Sequence, residues 1–368
     1  MINVQHEALP FKTPEELLEA FQEKGLPNNF CIIPFINLIF NPNGDVGVCR
    51  QKGTRHIVGN IKNQSIENIW NSDYLQQWRA EFLSGNIKIC EEEIKRDACH
   101  LGLENYTSFS KVDFATFQKN QILKFTSNFN GQCNLKCKMC DIWKQQNGLY
   151  DEINFWQYAK KNFFPFIKEI EMLSGEPFIQ KDTYRLIEII NRVNPDCLWS
   201  ITTNGHWQLN ERIKNQLNKI VFKNLIISID SLKPEKYAKI RPPGKLKTVI
   251  KNLDSLIEYN EERKNLNLSD LNITIHFLVM NENIGELKDF IDFANDKNIK
   301  LTINTIVEPS NLSPLNLGRN EKIKIIKELL SLPNTYIKRL MRVILPLVDS
   351  LDKTEKAHYL LSTREAIR

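Results

Sequence analysis

From about residue 113 onward, short strand-like runs alternate with helix-length segments, and this alternation constrains the fold more than any other feature of the chain. The strand candidates are Ile122–Ser127, Glu169–Leu173, Leu198–Thr203, Leu225–Asp230, Asn272–Val279 and Lys300–Ile306. Between them lie segments such as DTYRLIEIINRV and KTVIKNLDSLIEYNEERK, long enough to cross back over a sheet. Six βα units of this kind imply an α/β protein with a parallel sheet, either open and doubly wound or closed toward a barrel.

The flanks read differently. Thr13-Pro14-Glu15-Glu16 opens a helix: Thr13 can cap it, Pro14 suits its first turn and Glu16 completes a capping box. Gly25 and Pro27 end it. CIIPFINLIFNPNGDVGVC then reads as two short strands joined by an Asn-Pro-Asn-Gly turn. A helical stretch follows over SIENIWNSDYLQQWRAEFLSG, with Ser65 as its cap and Ile66, Ile69, Trp70 and Leu75 on its apolar face. Pro309 and Pro314 mark the end of the βα region. The remainder is helical and is expected to break at Pro333 and Pro346. The expected organisation is a leading segment, 1–29, a small domain, 30–112, the βα domain, 113–310, and a helical extension, 311–368, which suits a chain too long for one ordinary domain.

No apolar stretch approaches membrane-spanning length, and the N-terminus lacks a basic region followed by an apolar one, so the expectation is a cytoplasmic protein without membrane contact. The net charge of +5 sits in residues 311–368, which hold 11 Lys+Arg against 6 Asp+Glu, leaving the rest neutral. A solvated helix face explains such a tail more simply than an acidic partner. A neutral body also lacks the basic stripe with interleaved aromatics that nucleic-acid binding favours.

Eight cysteines are too few to staple a secreted chain of this size, and their grouping points to metal or catalysis. Cys197 stands alone and reads as a core residue beside a strand. Cys133, Cys137 and Cys140 form C-x3-C-x2-C directly after the first strand of the βα region, in FNGQCNLKCKMCDIW. Thiolates are the usual ligands of iron–sulfur clusters, and a loop can wrap one. A 4Fe–4S cube has four irons, so three cysteines leave one iron open. Zinc is the other reading, but it wants a fourth ligand nearby, and only Asp141 is local.

This triplet and its companions resemble the radical S-adenosylmethionine (SAM) superfamily. Met139 stands where the family usually carries an aromatic or apolar residue that contacts the SAM adenine; a loop Met packed on the core is compatible with this. Leu173-Ser174-Gly175-Glu176-Pro177 is similar to the family's Gly-Gly-Glu-Pro motif, which bonds the SAM amino group, with Ser174 in place of the first glycine. Thr202-Thr203-Asn204-Gly205 and Ser228-Ile229-Asp230 end successive strands, where relatives contact the SAM ribose and carboxylate. Arg241 sits where many relatives keep an arginine facing that carboxylate. Taken singly, Asn-Gly is a common turn and Asp a common cap. Together they line the C-terminal ends of successive strands, where barrel active sites are built. The resemblance covers about residues 120–308 and implies a partial (βα)6 barrel.

Cys31-x12-Gly44-x4-Cys49 resembles the opening of the SPASM and twitch domains that bind auxiliary 4Fe–4S clusters. VGNIKNQSIENIWNS adds to the likeness, and Cys90 and Cys99 bring the thiolates to four. Glu93 stands where a C-x2-C-x5-C run would place its middle cysteine, so one auxiliary cluster is the ceiling and its fourth ligand is either Cys99 or Glu93. The domain precedes the barrel, whereas the better-known relatives carry it afterward. A structural zinc site and four unrelated thiols are the other readings.

The resemblance implies an enzyme that takes an electron from a donor such as flavodoxin or ferredoxin. SAM would then be cleaved to methionine and a 5′-deoxyadenosyl radical, which abstracts hydrogen from a substrate. With one auxiliary cluster and no peptide-recognition module, a small polar metabolite such as a sugar, aminoglycoside or nucleotide is the expected substrate. Peptide modification is the alternative. A non-catalytic iron–sulfur or zinc protein that binds nucleic acid is a third reading.

Overall fold

The computed structural model describes residues 10–50, 56–90, 101–119, 121–145 and 147–367, with the side chains of 364–367 left aside. The chain divides into two compact units. The first comprises residues 1–132, 144–201 and 211–223, and the second comprises 133–143, 202–210 and 224–368.

The described strands are β1 (Asn37–Phe40), β2 (Asp45–Gly47), β3 (Gly59–Asn60), β4 (Lys124–Ser127), β5 (Glu169–Met172), β6 (Leu198–Thr203), β7 (Val221–Ser228), β8 (Ile273–Val279) and β9 (Lys300–Thr305). Through the first unit the order is β3-β2-β1-β4-β5-β6, and through the second it is β7-β8-β9. β1–β2 and β2–β3 are antiparallel, whereas β1–β4, β4–β5 and β5–β6 are parallel. The pairs β7–β8 and β8–β9 are parallel as well. Each of β4 to β9 leads into a helix, which gives the six expected βα units and the α/β class. Helices Arg319–Leu330, Asn334–Asp349 and Lys353–Ile367 close the chain.

Two aromatic cores organise the first unit. Phe21, from the helix Pro14–Glu23, meets Phe30 edge-on at 5.4 Å and leans on Tyr106 at 5.5 Å. Thr13 Oγ1 accepts the Glu16 N–H at 3.3 Å, the cap read from the sequence. Phe40 on β1 packs edge-on against Phe125 of β4 at 5.3 Å and Phe155 of the helix Phe155–Asn162 at 5.6 Å. Such aromatic pairs add about 0.5–1.5 kcal/mol each beyond the area they bury. In the second unit Phe277 of β8 stacks on Phe290 of the helix Leu287–Asp296 at 3.9 Å, which fixes the helix-covered face of those strands.

The Asn-Pro-Asn-Gly turn forms as read, with Gly44 at φ +90 and its N–H on Asn41 O at 2.9 Å. Four expectations need correction. The run before β1 is not all strand: Ile33–Ile36 makes one helical turn, because Pro34 cannot donate to a ladder and its carbonyl goes to Arg79 Nε at 2.9 Å. The SIENIW stretch is two helices, Ile66–Trp70 and Asp73–Ser84, each with its own serine cap, Ser65 and Ser72. The strand expected over Leu225–Asp230 runs from Val221 to Ser228. Lys223 is held in the ladder by Glu169 at 2.6 Å, and Asp230 turns its carboxylate onto the Leu278 N–H at 3.0 Å. Pro346 does not break its helix; it lies near the end of Asn334–Asp349, whose last turns are kept by buried Val343, Ile344, Leu347 and Val348.

Candidate functional site

In the second unit the cysteine loop is laid along the segment that carries Arg241. The Lys136 N–H donates to Pro242 O at 2.6 Å and the Lys138 N–H to Ile240 O at 3.0 Å, a short ladder that sets Cys137 opposite Arg241. Arg241 points one nitrogen, Nη1, at Cys137 Sγ, 3.8 Å away. Its Nε and Nη2 both lie 2.6 Å from Asp230 Oδ2. Asp230 is wholly buried, its other carboxylate oxygen accepts the Leu278 N–H, and its carbonyl accepts Asn283 Nδ2 at 2.8 Å. The pair is therefore a fixed strut, with the guanidinium's remaining edge turned to the sulfur.

Asn204, just beyond the end of β6, lies on the other side of the loop. Its Nδ2 donates to Asn134 Oδ1 at 2.8 Å and approaches Cys133 Sγ at 3.6 Å. Its Oδ1 accepts the His206 N–H at 2.7 Å. Gly205 takes φ +72, where an added Cβ would stand 2.5 Å from Val249 Cγ2, so only glycine turns the chain here. Met139 packs against Ile240, Met280, Ile306 and Leu312, the core role weighed for it. Leu312 also borders an open cleft of about 530 Å³ lined by Lys138, Asn281, Glu282, Pro309 and Asn311.

Two of the three thiols are held away from their charged form. Burial pushes Cys137 up to about 11, against the pull of Arg241, and the neighbouring Cys140, Asp230 and Cys133 push the same way. Burial raises Cys140 as well. Bare thiolates at Cys137 and Cys140 are thus disfavoured, and a bound metal would reverse that logic by supplying positive charge. Among the described residues no three His, Cys, Asp or Glu side chains gather closely enough for one metal ion.

On β7, β8 and β9, Ser228 is level with His276 and His276 with Thr302, while Asn304 stands one step further. These side chains alternate with Phe277 and Ile303, so they occupy the face turned away from the helix that carries Phe290. His276 Nε2 and Asn304 Nδ2 are 3.0 Å apart. The result is a polar row able to hydrogen-bond a small ligand.

In the first unit, Gly175 and Glu176 follow β5. Glu176 is wholly buried, its N–H donates to Gln132 O at 2.9 Å, and its Oε1 accepts the Phe178 N–H at 3.1 Å. The second cysteine set lies here too. Cys31 and Cys49 are half-buried and Cys90 is buried; Cys99 and Glu93 fall outside the described residues. Glu81 Oε2 accepts the Lys88 and Ile89 N–H groups at 2.9 Å each, which pins the approach to Cys90. Arg50, next to Cys49, reaches Glu171 of β5 at 2.5 Å. Cys197 is 1% exposed, as read, and burial raises its thiol far above the usual range.

The most telling residue that the sequence reading missed is Arg79. It is fully buried and stacks 4.3 Å over Trp70. Its guanidinium donates to Pro34 O at 2.9 Å, Thr116 O at 2.9 Å, Trp70 O at 2.8 Å and Asn71 Oδ1 at 3.3 Å. Burial lowers it to about 9, so it stays charged at neutral pH. Its only sequence signal was an arginine on the apolar face of a helix that follows Trp-Asn-Ser. Asn134 and Gln180 were missed as well, since a polar residue in a loop carries no pattern of its own.

Residues 127–294 match the sequence model of the Radical SAM superfamily, and residues 31–100 match that of an iron–sulfur cluster-binding domain, SPASM. These domains imply a 4Fe–4S cluster with S-adenosylmethionine for the first and auxiliary iron–sulfur binding for the second. The GTP 3′,8-cyclase of Nautilia profundicola is 26% identical over 189 residues, 50% of this chain and 56% of that protein. A probable GTP 3′,8-cyclase of Methanocaldococcus jannaschii is 28% identical over 181 residues, 48% of this chain and 56% of its own length. The chain thus spans little more than half of these curated relatives. Among solved structures, Streptococcus suis SuiB bound to S-adenosylmethionine aligns with TM-score 0.41 and 13% identity, over 72% of this chain and 61% of that one. No described helix is long and apolar enough to cross a membrane.

Proposed function

We propose, for a chain that belongs to the radical SAM superfamily and carries its SPASM-type iron–sulfur module, that the enzyme cleaves SAM and abstracts hydrogen from a small polar, nucleotide-like metabolite. The observation that carries the reading is the cysteine loop itself, with Arg241 and Asn204 turned toward its sulfurs at 3.8 and 3.6 Å. Cys133, Cys137 and Cys140 would hold the 4Fe–4S cluster, which when bound supplies the electron that splits SAM into methionine and a 5′-deoxyadenosyl radical.

The chain's own residues bind and orient. Asp230 holds Arg241 so that its guanidinium can face the SAM carboxylate beside Cys137. Gly175 and Glu176 are assigned to the amino group, and Asn204 and Ser228 to the ribose side. Met139 and the cleft beside Leu312 are assigned to the adenine. Cys31, Cys49, Cys90 and Cys99 would bind the second cluster, in the small domain at 30–112, and an external flavodoxin- or ferredoxin-like protein would deliver electrons. Similarity to GTP 3′,8-cyclases and the polar row of Ser228, His276, Thr302 and Asn304 favour a nucleotide-like substrate.

Anaerobically reconstituted protein, reduced with dithionite, is expected to turn SAM into 5′-deoxyadenosine, faster when GTP is added, and Cys137→Ala is expected to abolish this. Wild-type protein with full cluster content that releases no 5′-deoxyadenosine would overturn the reading. Release without any response to GTP, but stimulated by peptides, would move the substrate class alone.

A further inference from the structure

Gln180 lies in the loop after β5 and is 4% exposed. Its side-chain nitrogen is within hydrogen-bond distance of three backbone carbonyls: Asn130 O at 3.1 Å, Gln132 O at 2.9 Å and Ser174 O at 2.9 Å. An amide nitrogen carries two hydrogens, so three acceptors consume all it can donate. Two of these carbonyls are doubly engaged. Gln132 O also accepts the Glu176 N–H at 2.9 Å, and Asn130 O also accepts Ser174 Oγ at 2.8 Å. Asn130 is anchored in turn: its Nδ2 donates to Asp182 Oδ2 at 3.1 Å and its Oδ1 accepts the Gln132 N–H at 2.7 Å.

The backbone is shaped to admit this amide. Gly175 sits at φ +61, and a Cβ there would come within 2.3 Å of Gln132 O and 2.5 Å of Gln180 Nε2. One side chain therefore stitches the loop after β4, whose next residue is Cys133, to the turn after β5 that carries Glu176. We propose that Gln180 is a positioning residue that fixes the Gly175–Glu176 turn against the peptide entering Cys133, and so sets the affinity for the amino-acid end of SAM. This rests on the assignment of the cluster to Cys133 and of the SAM amino group to Gly175 and Glu176. The turn's own placement matters to whatever amino group it receives, because misplacement by about 1 Å is enough to weaken a bound group's contacts.

The test compares two ligands on reconstituted holoprotein. SAM has an α-amino acid end, whereas methylthioadenosine keeps the adenosine and lacks it. Gln180→Glu keeps size but turns an oxygen toward three carbonyls, and Gln180→Met keeps volume without a donor. Both variants should keep wild-type iron content. SAM should bind about tenfold more weakly or worse, methylthioadenosine within about twofold of wild type, and the SAM-induced change in the reduced cluster's EPR signal should shrink. Gly175→Ala should reproduce the pattern with Gln180 intact. Equal weakening of both ligands, loss of iron in both Gln180 variants, or unchanged SAM affinity would each overturn the proposal while leaving the cluster assignment standing. If wild-type protein does not prefer SAM to methylthioadenosine, the SAM assignment fails and this proposal falls with it.

Discussion

The two cysteine regions are built on opposite plans. Cys133, Cys137 and Cys140 lie in one loop, and what holds that loop is close by: a two-bond ladder to Ile240 and Pro242, Asn204 on one side and the Asp230–Arg241 strut on the other. Cys31 precedes the helical turn Ile33–Ile36, Cys49 follows β2, and Cys90 lies in a turn beyond the helix Asp73–Ser84. Arg79 ties the helix before Cys90 to the turn after Cys31, joining Pro34, Trp70, Asn71 and Thr116 through one buried guanidinium. A local set can be specified by a short spacing, whereas a dispersed set depends on a tertiary scaffold. The first should tolerate damage to the fold better than the second.

The largest effect separates the regions by chemistry. Replacing Cys133, Cys137 and Cys140 together should abolish SAM cleavage outright and leave roughly four of about eight irons. Cys31→Ala with Cys49→Ala should also lose roughly half the iron, yet retain most SAM cleavage and lose product formation. Iron analysis and 5′-deoxyadenosine release on the same samples decide this, after circular dichroism shows that both variants fold. If the second pair abolishes SAM cleavage in folded protein, the two regions are not independent.

The next comparison sets one buried strut against the other. Arg79→Met removes a buried charge but leaves three carbonyls and Asn71 Oδ1 without that donor, at about 1–3 kcal/mol for each group left unsatisfied. A total of roughly 4 kcal/mol, offset in part by the lost desolvation cost, is the expected fall in unfolding free energy. Asp230→Asn strands the buried Arg241 but keeps an acceptor, so about 2–3 kcal/mol is expected. Iron should report the difference: Arg79→Met should shed the auxiliary iron and keep SAM cleavage, while Asp230→Asn should keep both sets of iron and bind SAM more weakly. The reverse pattern would show that the local loop is the fragile one.

The same contrast explains what could be read in advance. The βα alternation was legible because strands and crossover helices follow from periodicity, and the cysteine triplet stood out by its spacing, whereas Glu176, Asn204 and Arg241 were marked only by the resemblance to the radical SAM superfamily. Arg79 and Gln180 were not, because their partners are backbone carbonyls far along the chain, and a carbonyl leaves no mark in a sequence. Ile33–Ile36 misled for a related reason: four apolar-flanked residues suit strand or helix equally, and the decision came from Pro34 O meeting a guanidinium 45 residues away. Pro346 misled because burial of its neighbours outweighs one missing donor near a helix end. The break after Trp70 was open to sequence, since Ser65 and Ser72 are both capping residues.

That break supplies the smallest and most discriminating prediction. Ser72 caps the helix Asp73–Ser84, its Oγ accepting the Leu75 N–H at 3.4 Å, and this helix carries Arg79 and, at its end, Glu81, which pins Lys88 and Ile89 before Cys90. Ser72→Ala should cost about 1 kcal/mol, since a long bond at a half-buried cap gives only a middling contribution. Denaturant unfolding should show that loss with no change in SAM cleavage, because the Cys133 loop is held by Ile240, Pro242, Asn204 and Arg241. Auxiliary iron should become easier to strip by chelator, since the helix that orders Cys90 frays more often. Ser72→Asp, a stronger cap at a helix N-terminus, should restore both stability and chelator resistance. A chelator rate that ignores both substitutions would mean that Cys90 is ordered by contacts other than this helix, and the dependence of the dispersed set on its scaffold would have to be sought around Cys31 and Cys49.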